Sequence, residues 1–472
     1  MIPMIQSYNR NSKWSILEYS KSLLGKTLEE AIAPTQIEEL RGKGKLGQLV
    51  EKYFFGYELN SNQEADFSEA CLELKCTPLK ELTTKALAIK ERLVLTMIDY
   101  SKDHQISFEE SHVYTKCMFM LILFYLHQTG IPVQQLKFIY SILWQIPDKD
   151  LLIMKQDYET IIGKIKAGKA HELSEGDTTY LGACRKGQKG DVDVFYTLPN
   201  GETSEIPAPK RAFSLKTQYM RTILEFAEKT GGHGTYNTSS IVAGYGSQLV
   251  TEQELMNKSF ENILLDRFKP YYGLTYSELV KALGCEGTKA KSKYFLIANE
   301  ILTEHQTRGC DITKTEEFLK SGIVLKTIRL TASGSSAEAM SFENINYFDV
   351  LQEENWYDSR LYEIFTGKFL FIVFQENKEE EVFLKTAFFW TMPVEDLKTA
   401  EGYWENIKKN IEENHISPEF FYKASDHKKF HVRPKAQKAT DVTTNPHGGN
   451  AKKFCYWFNK GYIKDIVEQN IR

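Results

Sequence analysis

The chain has 472 residues, too many for one hydrophobic core of ordinary size, so two or more domains are expected. Hydrophobic residues at 42%, charged residues at 26% and a net charge of −4 are those of a globular protein and exclude a general polycation. Any nucleic-acid contact must then come from locally concentrated positive charge.

Met1 to Asn11 lacks a basic start followed by an apolar run, so no secretory signal is read there. Residues 13 to 33 carry a helical rhythm in Trp14, Ile16, Leu17, Leu23, Leu24, Leu28 and Ile32. A second one runs from Lys43 to Gly56, with Glu51 beside its apolar stripe. Cys71-Leu72-Glu73-Leu74-Lys75 then alternates apolar and charged residues, the pattern of a half-buried strand. Thr77-Pro78 is expected to end it, since proline removes a ladder donor. Met118 to Leu126, the most apolar run, is about half the roughly 20 residues that span a bilayer. It reads as a core strand with Lys116 at its opening, and no membrane association is expected. Lys137 to Leu143 reads as a strand and Leu151 to Lys166 as an amphipathic helix. Leu173 to Gly190 is loop-rich and carries Arg185, Lys186 and Lys189; Arg211 to Lys216 reads as a closing strand.

A Gly-rich passage from Thr230 to Gly246 marks a domain boundary, with a linker over 229–250 between domains at 1–228 and 251–472. Helical patterns restart over Glu252 to Phe268, Thr275 to Gly284 and Lys291 to Thr303. Glu317 to Lys326 then repeats the spacing of Asp66 to Lys75. Aligned on the lysines, Glu317 stands where Asp66 stood, Val324 where Glu73 stood and Lys326 where Lys75 stood. Lys368 to Phe374 follows as an apolar strand and Phe454 to Phe458 takes the place of Phe213 to Lys216. Three matches in the same order indicate a diverged duplication. Val324 cannot ligate a metal, so the second copy keeps the fold without the site.

The chemistry lies in Asp66, Glu73 and Lys75. On a strand Glu73 and Lys75 point to one side, and a short loop can return Asp66 to them. Two carboxylates can hold a hard divalent cation. A lysine beside them can orient a water or offset charge on a phosphate. Taken alone, the triple is also compatible with a solvated strand face. Lys428-Lys429-Phe430-His431-Val432-Arg433-Pro434-Lys435 is the densest positive cluster and reads either as a solvated loop or as a phosphate and base contact. The chain contains no phosphate-binding Gly-x4-Gly-Lys-Ser/Thr, no Gly-x-Ser-x-Gly and no His-Glu-x-x-His. Seven cysteines, an odd number without a Cys-x-x-Cys pair, argue against a disulfide framework or zinc ribbon and for a reducing cytoplasm.

Gly47 to Glu51, Asp66 to Pro78, Lys90 to Leu95, Gly176 to Cys184, Arg211 to Lys216 and His431 to Ala436 together resemble the MutH-like endonucleases, above all the Sau-type type II restriction enzymes that cut at GATC. The resemblance implies an α/β fold with two restriction-endonuclease-like domains, each a mixed sheet flanked by helices, the second degenerate. It implies Mg2+ held by Glu51, Asp66 and Glu73, with Lys75 and Lys116 positioning the water and the scissile phosphate. DNA contacts are expected from Tyr180, Arg185, Lys186, Lys216, Arg433 and Lys435. The implied partners are double-stranded DNA containing GATC and a cognate methyltransferase that modifies the same site without needing to bind. The working unit would be a monomer or a transient dimer on two sites, the second copy binding another GATC as effector. Two rival readings stand beside this one, a mismatch-repair nickase and a non-catalytic sequence-specific DNA-binding protein.

Overall fold

The computed structural model describes residues 8–32, 45–58, 65–186, 192–231, 235–236, 247–304, 310–426, 428–435 and 441–471. It divides into two compact units, Met1–Gly246 with Leu319–Ser321, and Ser247–Phe318 with Gly322–Arg472. The expected linker over 229–250 falls mostly outside the described residues, as does Lys189.

In the first unit the strands are β1 (Glu73–Glu81), β2 (Leu87–Ile89), β3 (Leu93–Met97), β4 (Phe119–Leu126), β5 (Phe138–Gln145), β6 (Leu181–Arg185), β7 (Arg211–Leu215) and β8 (Thr235–Tyr236). They form a mixed sheet in the order β2-β1-β4-β5-β8 and an antiparallel sheet in the order β3-β7-β6. β1 and β4 run parallel, Glu73 opposite Met120 and Lys75 opposite Ile122. A parallel pair needs a crossover, and β2, β3 and the helix His112–Cys117 lie within it. Met120 to Phe124 are wholly buried, as a central strand covered on both faces requires. β1 does not end at Pro78. It continues to Glu81; the Pro78 carbonyl still accepts the Lys90 N–H just past β2, so the proline sits at the end of that ladder without ending the strand.

The helix Asp148–Lys166 buries Leu151, Met154, Tyr158, Ile161, Ile162 and Ile165 at helical spacing. Two of its acids are buried as well. Asp150 accepts from the Tyr219 hydroxyl at 2.8 Å. Asp157 accepts the backbone N–H groups of Thr179, Tyr180 and Leu181, which fixes the entry into β6. That strand lies inside the stretch read as loop-rich. Gly182-Ala183-Cys184 has no polar alternation to announce a strand, because all of Leu181 to Cys184 is buried.

The second unit opens with helices Glu252–Asn257, Phe260–Phe268, Tyr276–Leu283 and Lys293–Thr303. Its strands are β9 (Val324–Leu330), β10 (Met340–Asn344), β11 (Phe369–Glu376), β12 (Val382–Trp390), β13 (Phe430–Pro434), β14 (Val442–Thr444), β15 (Asn450–Lys452) and β16 (Phe454–Phe458). The arrangement of the first unit recurs. β9 and β11 run parallel with β12 antiparallel beyond them, and β10-β16-β13 form an antiparallel sheet. A 19-residue helix after a proline follows β5 in one unit (Asp148–Lys166) and β12 in the other (Val394–Glu412). Its buried acid meets a tyrosine in both, Asp150 with Tyr219 and Asp396 with Tyr462. The second unit is therefore a diverged copy of the first fold. Glu317 differs from its sequence counterpart: it lies on the helix Glu316–Ser321 and accepts the N–H groups of Leu249 and Val250.

Asp157→Ala leaves three buried N–H groups without their acceptor. The expected loss is roughly 3 kcal/mol, read as a fall in the first unit's unfolding transition by calorimetry.

Candidate active site

Glu73 opens β1, and its side chain is only 2% exposed. Such a carboxylate must be paired. Lys75, two residues along on the same face, donates from Nζ to Glu73 Oε1 at 2.7 Å and to the Leu95 carbonyl at 3.3 Å. Lys116 donates to Oε1 at 3.2 Å and to Oε2 at 3.4 Å. Lys116 is not on a strand. It sits in the last turn of the helix His112–Cys117, whose first turn is capped by Ser111 Oγ accepting from the Tyr114 N–H. The helix is six residues long, too short to leave a period in the sequence.

Asp66 is returned to this group by a tight loop. Phe67 and Leu72, both wholly buried, exchange two backbone hydrogen bonds, and Cys71 between them adopts φ 47°. Asp66 Oδ2 then accepts the Leu74 N–H at 2.9 Å, and the Asp66 N–H points to Glu73 Oε2 at 3.4 Å. Glu51 lies on Val50–Phe54, a π-helical turn closed by Phe55 N–H donating to the Val50 carbonyl. Such turns recur at functional sites.

The electrostatics bind the five groups into one site. Burial pushes the Glu51 carboxyl up to about 7; Asp66 and Glu73 add to the rise, and Lys116 and Lys75 oppose it. Burial, then Glu73, also raises Asp66 above the ordinary carboxylate range. Among the described residues no three His, Cys, Asp or Glu side chains stand close enough together to chelate an ion. The acids share a field without forming a coordination shell, and the lysines hold Glu73. The donor chemistry still fits a hard divalent cation. Three oxygen donors repel one another, two of them are driven toward protonation, and a dication at their centre would relieve both.

The residues read as DNA contacts fall into two groups. Arg185 ends β6, exposed, with Asp193 at 4.0 Å, and Lys186 follows it. Arg433 is exposed with its guanidinium 3.9 Å above the Trp457 ring, and Lys435 is exposed beyond it. These four can face a ligand. Tyr180 cannot, because its side chain is wholly buried and packs on Tyr219 at 5.3 Å between centroids. Lys216 is half-buried and bonded to the Thr178 carbonyl, which makes it a brace for the turn before β6. The basic run from Lys428 is not a loop either. It contains β13, with His431 buried and Lys429 paired to Asp396.

Arg92, within the Lys90 to Leu95 stretch of the resemblance but given no role there, has its Nε 3.0 Å from Glu175 Oε2, both side chains largely buried. Arg92 directly precedes β3, which supplies the Leu95 carbonyl to Lys75, and Glu175 begins the turn toward β6. The pair ties the strand behind Lys75 to the strand that presents Arg185. No local pattern could have joined two residues so far apart in the chain.

The family model for the DNA mismatch repair enzyme MutH matches residues 55–157. The type II restriction enzyme Sau3AI of Staphylococcus aureus is 30% identical over 97% of this chain and 98% of its own length. The DNA mismatch repair protein MutH of Vibrio vulnificus is 27% identical over 42% of this chain and 85% of its own. That of Shewanella woodyi is 30% identical over 42% and 81%.

If the acids hold a divalent cation, adding one at about 100 times its Kd stabilises the folded chain by roughly 2.7 kcal/mol. The melting temperature is expected to rise with Mg2+ in the parent and to stay level in Glu73→Ala.

Proposed function

The chain belongs to the family of MutH-like, Sau-type type II restriction endonucleases, and we propose that it cuts both strands of double-stranded DNA at GATC with Mg2+ as cofactor. Cleavage is assigned to the domain over 1–228. The domain over 251–472 is assigned the binding of a second GATC as effector. The observation that carries the catalytic assignment is the Glu73 carboxylate shared by Lys75 and Lys116 with Asp66 bonded beside it.

Hydrolysis of a phosphodiester forms a bond from a water oxygen to phosphorus and breaks the bond to the 3′ oxygen. Glu51, Asp66 and Glu73 would hold Mg2+, which when bound supplies charge neutralisation on the phosphate and the leaving oxygen. Lys75, anchored at its other contact by the Leu95 carbonyl, orients the attacking water. Lys116 offsets charge on the scissile phosphate. Arg185 and Lys186 are placed at the bases from the exposed end of β6, in a single exposed strand end that lacks the Arg-Pro-Lys of the second copy. The assignment of the second domain rests on its substitutions. Val324 opens β9 as Glu73 opens β1, and Ile364 follows the Ser359 cap by the same five positions as Lys116 follows Ser111. An aliphatic pair there leaves neither a ligand nor a phosphate contact.

Length argues against the repair nickase, since the repair proteins align with less than half of this chain. Incubation of a GATC plasmid with the protein and Mg2+ is expected to give linear fragments. Nicked circles would favour the nickase, and a mobility shift alone the non-catalytic reading. Glu73→Ala is expected to slow cleavage by roughly a thousandfold while DNA binding in gel shifts persists. Cleavage by that variant at the parental rate would sink the site assignment. A plasmid with two GATC sites is expected to be cut faster per site than one with a single site.

A further inference from the structure

The second unit has lost the acid at the head of its strand and kept the lysine. Lys326 stands two residues into β9 as Lys75 does in β1, opposite Phe371 of β11 where Lys75 is opposite Ile122 of β4. Where Lys75 has Glu73, Lys326 has Val324, and Glu317 is committed to the Leu249 and Val250 N–H groups. Among the described residues no carboxylate forms an ion pair with Lys326. Its Nζ donates to the Ser341 carbonyl at 2.8 Å and lies 5.0 Å from the Phe342 ring centre. Lys435, just past β13, donates to the neighbouring Phe342 carbonyl at 3.1 Å. Two ammonium groups are thus drawn to adjacent carbonyls of β10, beside a register shift between Ser341 and Asn344. Burial, then Lys435, pushes the Lys326 ammonium down to about 8. A half-buried ammonium facing a second one lacks an anion.

We infer that the second unit takes a DNA backbone phosphate directly between Lys326 and Lys435, at the position of its lost carboxylate, with no metal ion. The inference rests on the reading that this unit binds DNA and adds the chemistry by which it does so. The exchange of Glu73 for Val324 then converts a cation-seeking site into an anion-seeking one. The first unit needs Mg2+ to bring phosphate against its acids, whereas the second holds phosphate in chelator.

The full-length protein is tested in EDTA with a GATC duplex. Acetic anhydride labelling of Lys326, read by mass spectrometry, is expected to be suppressed by the duplex in the parent protein, which needs no variant to fold. Lys326→Met is expected to weaken duplex binding about tenfold, and to lower the slope of log K against log salt by roughly 0.9, the value for one phosphate no longer neutralised. Lys326→Arg is expected to restore most of the binding. If the duplex leaves Lys326 labelling unchanged and Lys326→Met binds as the parent does, while Arg433→Ala binds weakly, the second unit reads DNA without this phosphate and the inference is wrong. Protection of Lys326 that appears only with Mg2+ also overturns it. If neither variant changes binding, the effector reading itself falls, and the inference with it.

Discussion

A carboxylate with 2% exposure cannot stay charged alone, and the first unit is arranged around supplying Glu73 with partners. Lys75 comes from the same strand, Lys116 from a capped helix and Asp66 from a loop locked by Phe67 and Leu72. Each supporting element is fixed in turn by buried backbone hydrogen bonds, so the charges are placed by the fold. Removing either lysine leaves part of a buried charge uncompensated, which in such sites costs about 3–5 kcal/mol. The ion group is therefore a condition of the local fold.

The second unit keeps the scaffold of that arrangement and changes the side chains at its ion group. The parallel pair, the 19-residue helix, the Asp–Tyr pair and the three-stranded sheet are all retained. The positions of Glu73 and Lys116 became Val324 and Ile364, which are apolar and pack with a large aromatic cluster. Replacing a buried ionic pair by aliphatic side chains is neutral or stabilising when both partners go together. Val324 and Ile364 thus fit an apolar surrounding at these two positions, while Lys326 is left without the acid that Lys75 has.

Much of the first unit was legible because its signals are local. The apolar run from Met120 to Phe124 follows directly from two-faced burial, whereas the alternation at Cys71 to Lys75 marks an apolar face at Leu72 and Leu74 and a charged face covered by the ion group, with Glu73 buried as well. The duplication was legible through the order of its strands. What escaped was either short or distant. The helix bearing Lys116 is under two turns, β6 is buried on both faces without alternation, and the Leu95 carbonyl is backbone and carries no residue type. The Arg92–Glu175 and Asp157 contacts close across the chain and leave no spacing to read. Tyr180 was misread for a related reason. Its place among the DNA contacts comes from the resemblance alone, and only the packing on Tyr219 places its side chain inside.

The parallel pairing of β1 with β4 has a consequence for the order in which the ion group around Glu73 assembles. Glu73 and Lys116 lie 43 residues apart, and β4 must come back beside β1 before they can meet. Closing that loop costs chain entropy before any contact repays it. A nascent chain that has left the ribosome only as far as β3 has Glu51, Asp66, Glu73 and Lys75 but neither Lys116 nor the β4 strand that lies opposite Glu73. The ion group around Glu73 is therefore completed only by a non-local folding step, and a fragment truncated within the crossover lacks Lys116 and the strand that follows it.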